Sequence, residues 1–163
     1  MGYMRAHRRL EETYSRAFVL RPGEELLEHD AEDIRIALFE ALNWLDALLL
    51  VDEAAARLDP DLHGALRFVR GRVHHVWANA IEYRRDVPFM QGPSTPGSGP
   101  SPPLLIADWC WKQDLEGGER TSSAKSRERS GQTAYENRLV RRQVRAALGG
   151  VASLAAQLYT ENL

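Results

Sequence analysis

Asp30-Ala-Glu-Asp-Ile34-Arg-Ile-Ala-Leu38-Phe-Glu-Ala-Leu42-Asn-Trp-Leu45-Asp-Ala-Leu-Leu49-Leu50 is the stretch whose reading decides the fold class. Ile34, Leu38, Ala41, Leu42, Leu45, Leu48 and Leu49 recur every three or four positions, the spacing of one face of an α-helix. Phe39, Trp44 and Leu50 widen that stripe, so the helix is expected to touch neighbours on more than one side. Asp30 precedes the periodic run as an N-cap, its short side chain suited to the unpaired N–H groups of a first turn.

Working outward, an earlier helix is expected from about Tyr3 to Phe18, with Leu10, Tyr14, Ala17 and Phe18 at helical spacing and Pro22-Gly23 as breakers. On the other side, Asp59-Pro60 starts a third helix, with Asp as N-cap and Pro in the first turn. Its core face, Leu62, Leu66, Val69, Val73, Val76, Trp77 and Ala80, extends to about Arg84. The short connection between the second and third helices predicts antiparallel packing.

Six of the eight prolines lie between Val87 and Pro103, a composition that excludes helix and central strand and reads as an extended linker. Leu104 to Trp111 follows as the one strand-like run, with Trp109 and Trp111 directed to the same side, toward the core or a dimer seam. A polar loop is expected from about Glu116 to Gly131. The last helix starts at the capping box Thr133-Ala-Tyr-Glu136 and carries Val144, Leu148, Val151, Ala155 and Leu158 on one face, with Gly149-Gly150 as a place to kink. The expectation is a mainly α single domain over residues 1–163: an antiparallel bundle of about four long helices, one short strand-like segment, and an insertion over 87–131.

Composition bounds the function. Hydrophobic residues make up 44% and charged residues 27% of 163, the balance of a globular chain. The longest apolar run, Ala47 to Val51, is far short of the roughly 20 residues of a membrane-spanning helix, and the Arg-rich start has no secretory core. Cys110 is the one cysteine and has no internal partner for a disulfide, so a cytoplasmic location is the default expectation. Residues 1–111 carry 12 Arg against 17 acids, and residues 112–163 carry nine Lys plus Arg against six acids. Neither half is basic enough to require a nucleic-acid partner. The basic segment from Lys112 to Arg145 reads first as a solvated loop and helix face.

Chemistry concentrates in Leu66-Arg67-Phe68-Val69-Arg70-Gly71-Arg72-Val73-His74-His75-Val76-Trp77. At about 100° per residue, His63, Arg67, Arg70 and His74 share a sector of roughly 60°, while His75 lies about 140° from Arg70 on a straight helix. A bend at Gly71 would change that relation. Asp46 and Glu53, seven residues apart on the second helix, offer a purely structural alternative: interhelical ion pairs to Arg67 or Arg70. No metal site is expected, because Cys-x2-Cys and His-Glu-x2-His are missing and adjacent His74 and His75 diverge on a helix. The linker glycines lack the Lys-Ser/Thr of a phosphate-binding loop, and no cofactor is expected.

Arg70-Gly-Arg-Val-His-His75 resembles the Arg-x4-6-His motif of the HEPN superfamily, the higher eukaryote and prokaryote nucleotide-binding domains. The wider run to Trp77, and the plan of a helical bundle with the motif on a late helix, are also similar to helical HEPN-like bacterial proteins. Gly71 stands where active members usually carry a polar residue, often Asn. The resemblance implies a metal-independent endoribonuclease acting as a homodimer, a toxin or phage-defence effector with RNA as substrate and a cognate antitoxin or other protein as partner. It assigns His75 to proton transfer and Arg70 to phosphate stabilisation, roles suited to an imidazole that titrates near neutrality and a forked permanent cation. Arg67, Arg72 and His74 become substrate-positioning residues. Because the superfamily includes inactive scaffolds, the alternative is a non-catalytic helical dimerisation or interaction module.

Overall fold

The computed structural model describes residues 2–17, 28–50, 52–76, 79–88, 105–115 and 122–161. In chain order these form α1 (Gly2–Ala17), α2 (Glu28–Leu49), α3 (Asp52–Arg57), α4 (Pro60–Val76), β1 (Ile81–Pro88), β2 (Leu105–Trp111), α5 (Ser122–Arg138) and α6 (Val144–Glu161). The fold is mainly helical with a two-stranded antiparallel sheet. Among the described residues no helix is long and apolar enough to cross a membrane.

α2 is the centre of the helical layer, packed against both α1 and α4. Of the stripe read from the sequence, Ile34, Leu38, Ala41, Leu42, Leu45 and Leu49 are buried and Leu48 is half-buried, whereas Trp44 and Leu50, expected to widen it, are exposed. Leu10 and Tyr14 of α1 and Leu148 and Val151 of α6 are buried in the same core. The Tyr3 hydroxyl donates to the Leu148 carbonyl at 2.9 Å, tying α1 to α6 inside it. On the far side α4 carries α5, where Phe68 and Tyr135 meet with ring centroids 5.7 Å apart. Gly131 lies close against α4 there: a Cβ at that position would approach the Phe68 Cβ to 3.0 Å.

Three elements differ from the sequence reading. In place of the expected bundle of about four long helices, the described residues form five helices of 16 to 22 residues plus the six-residue α3, which lies in the connection between α2 and α4. α4 ends at Val76, and Ile81–Pro88 is a strand rather than a continuation to Arg84. Ala80 fits the helical period by coincidence. The deciding pattern is the alternation that puts Ile81 and Tyr83 on one face, opposite Trp111 and Trp109, and the partner that rewards it, β2, lies far along the chain. The pairing runs from Ile81 opposite Trp111 to Arg84 opposite Asp108, then shifts so that Val87 faces Ile106. That shift is a bulge. The Arg84 guanidinium grips Asp86 across it, with contacts of 2.9 and 2.6 Å.

The third difference concerns the C-terminal half. Residues 122–131, expected as loop, belong to α5, so Thr133 lies inside a helix and does not start one. The segment has little apolar periodicity of its own and is held by tertiary contacts: Glu128 pairs with Arg72, and Gly131 seats against Phe68. The single last helix is two helices, broken between Arg138 and Val144 and not at Gly149-Gly150, which lie within α6. Arg141 takes φ 59° at the break. The end of β2 captures this junction: Trp111 donates to the Arg142 carbonyl at 3.0 Å and accepts from the Arg141 N–H at 2.9 Å. Trp109 and Trp111 are buried within the chain itself, as are Asp108 and Cys110 on the other side of the strand. Within the expected insertion over 87–131, β2 and the start of α5 are therefore built into the fold. The linker expected over 87–103 is corrected at Val87 and Pro88, which end β1, and its remainder lies outside the described residues.

Candidate active site on the seam of α2 and α4

α4 starts where its sequence says it should. The Asp59 carboxylate accepts from the Leu62 N–H at 2.8 Å and Pro60 opens the helix. Hydrogen bonding to that N–H and then to Arg138 holds the Asp59 carboxyl below its ordinary value. From there the helix runs unbroken through Gly71 to Val76, and a Cβ at Gly71 would meet nothing within 4 Å. Gly71 is therefore neither a hinge nor a packing requirement.

This continuity decides which residues share a face. His63, Arg67, Arg70 and His74 line one stripe of α4, and across it α2 presents Phe39 and Asp46. Phe39 stacks on His74 with ring centroids 5.7 Å apart and planes 8° from parallel. Asp46 Oδ2 lies 3.5 Å from Arg70 Nη2. Residue numbers rise on α2 as they fall on α4 from one contact to the next, so the helices are antiparallel, as the short connection implied.

The electrostatics of the stripe are uneven. Arg67 and His74 are exposed, whereas Arg70 and Asp46 are about one-quarter exposed, at 25% and 28%. Burial lowers the proton affinity of His63, the Arg67 charge lowers it further, and Asp46 acts in the opposite sense. His63 Nε2 and Arg70 Nε are buried and make no hydrogen bond among the described residues. Two guanidiniums against one carboxylate leave the seam with a net positive charge. Such a surface suits a phosphodiester: forked donors for the anionic oxygens and imidazoles within the same stripe for proton transfer.

The other candidates fall elsewhere. Arg72 lies two residues from Arg70, on the opposite face of α4. It is only 9% exposed, pairs with Glu128 of α5, and lies over the Phe68 ring at 5.2 Å. The His75 position lies about 140° around the helix axis from Arg70; its side chain, like that of Glu53, is outside the described residues. The structure thus brings together Arg67, Arg70 and His74 from the sequence candidates, adds His63, and joins them to Asp46. Asp46 and His63 were both visible in the sequence, the first as an ion-pair partner and the second as a member of the stripe.

Two clefts flank this layer. One, of about 490 Å³, lies between α2, the end of α4 and β1 and shares Phe39 with the stripe. The other, of about 470 Å³, lies between α1, α2 and α6, where Trp44 and Tyr159 are nearly half exposed. Among the described residues no group of three or more His, Cys, Asp or Glu gathers to hold a metal ion. No family model, curated protein or solved structure matches this chain.

Proposed function

We propose that the seam of α2 and α4 binds an RNA phosphodiester and that the protein is a HEPN-like, metal-independent endoribonuclease, acting in the cytoplasm as a homodimer in a toxin or phage-defence role. The observation that carries this reading is the alignment of His63, Arg67, Arg70 and His74 along one face of an unbroken helix. In the reaction the 2′-oxygen attacks phosphorus, its proton passes to an imidazole, and the bond from phosphorus to the 5′-oxygen breaks. A second imidazole returns a proton to that leaving oxygen. The products are a 2′,3′-cyclic phosphate and a 5′-hydroxyl. Arg70 stabilises the added negative charge, and Arg67 and His74 position the strand. The His75 position lies about 140° around α4 from Arg70, so the proposal pairs His75 of one copy with a phosphate held by Arg70 of another, which is the role of the dimer. Arg72, tied to Glu128, supports α5.

Incubation of the purified protein with single-stranded RNA in excess chelator tests this. The expected result is cleavage leaving cyclic phosphate ends, lost in Arg70→Ala and in His75→Ala while both variants keep the helical circular-dichroism spectrum. Full cleavage by both variants removes the proposal. In cells, the wild type should arrest growth and His75→Ala should not.

A second reading, a non-catalytic helical interaction module, is favoured by one contact: Asp46 already occupies Arg70. In that reading the cleft carrying Trp44 and Tyr159 takes a protein partner, an antitoxin or a second copy. The expected results are then no cleavage by any form and loss of partner binding on Trp44→Ala.

A further inference from the structure

The cleft between α2, the end of α4 and β1 is walled by Phe39, Val73 and Ile81, with Ile36 at its mouth and Arg35 and Asn79 among its lining residues. Arg35 is held on both sides. Its Nη1 lies 3.3 Å from Glu32 Oε2. With the Asn79 amide oriented to satisfy both of its ends, the side-chain oxygen accepts from Arg35 Nη2 at 3.0 Å and Nε at 3.3 Å, while the nitrogen donates to the Ile81 carbonyl at 2.9 Å. Three of the five N–H groups of the guanidinium are therefore taken, which holds its plane in place beside the cleft. A fixed cationic plane beside apolar walls suits a planar aromatic ring, and Phe39 joins this cleft directly to His74 on the stripe. Single-stranded RNA presents such a ring next to each phosphate, and unstacked bases are commonly held on aromatic and guanidinium planes.

We infer that this cleft is a nucleobase subsite: it takes the base neighbouring the phosphate bound at Arg67 and Arg70, stacked on the Arg35 plane. The inference rests on the RNA-binding reading of the stripe. Contact is through π-faces, so the subsite accepts any base while rejecting a sugar-phosphate chain without one.

The test compares binding of oligoadenylate with that of an abasic ribose-phosphate oligomer of the same length, by fluorescence anisotropy at one ionic strength. Oligoadenylate should bind about tenfold more tightly, the worth of one stacked base. Arg35→Lys keeps the charge but removes the plane. Ile36→Trp, at a position 58% exposed, fills the mouth without entering the core. Each should bring the ratio near unity and leave abasic binding unchanged. Equal binding of both oligomers by the wild type overturns the subsite alone, as does a ratio unchanged in either folded variant. Failure to bind either oligomer overturns the RNA reading and the subsite with it.

Discussion

Asp46 on α2 and Arg70 on α4 are 3.5 Å apart and share a partly exposed seam, so the guanidinium that would hold a phosphate is already beside a carboxylate. A pair with this exposure contributes little to stability, at most about 1 kcal/mol. Its larger consequence is competition with an anionic ligand. Asp46→Asn is expected to tighten RNA binding several-fold and to change the unfolding free energy by less than about 1 kcal/mol. Titration of labelled RNA, with chemical denaturation in parallel, checks both. Weaker binding by the variant would mean that Asp46 orients Arg70 rather than competing for it.

Arg72 offers the contrasting case. Its pair with Glu128 is enclosed between α4 and α5, with side-chain exposures of 10% and 12%. Removing one member leaves a buried charge without its counterpart. Arg72→Ala is expected to cost about 3 kcal/mol in urea unfolding, and the double change Arg72→Met with Glu128→Leu to cost much less. An Arg72→Ala variant of unchanged stability but impaired RNA binding would return this residue to the substrate.

Gly71 lies within a helix with open space where a side chain would be. Gly71→Ala is therefore expected to stabilise the protein by about 0.5–1 kcal/mol, because glycine loses more chain entropy on entering a helix. Gly71→Asn should fold equally well and, in the endoribonuclease reading, raise cleavage by supplying a polar group beside Arg70. A loss of melting temperature in Gly71→Ala would show that the backbone there needs freedom absent from a straight helix.

Acidification should weaken the fold through two imidazoles. His63 and His7 both bind protons less readily when folded, chiefly through burial; Arg67 adds to the effect at His63 against Asp46, and at His7 Glu11 opposes it while Arg145 adds to it. Above the ordinary value of 6.5 both are neutral, folded or unfolded, and stability is unaffected. As pH falls through 6.5 toward the lower folded values, the unfolded chain takes up protons first and stability drops. Melting temperature should decline as pH falls below about 6.5, and the decline should shrink in His63→Gln and in His7→Gln. A flat profile would mean that neither ring is desolvated.

Periodicity in the sequence was enough to define the buried stripe of α2, and capping chemistry the start of α4, whereas Asp30, read as the N-cap of α2, lies inside that helix, which begins at Glu28. Spacing on a straight helix also placed His63, Arg67, Arg70 and His74 on one face, since both patterns depend only on local geometry. The strand at Ile81, the helix at Ser122 and the break at Arg141 depend instead on partners remote in the chain: β2, the Arg72 side of α4, and the backbone of Trp111. The sequence offered two acids for the stripe and left the course of α4 at Gly71 open. Tertiary packing brought Asp46 to Arg70 and carried the helix straight through the glycine, because a contact between helices depends on register and crossing rather than on either helix alone.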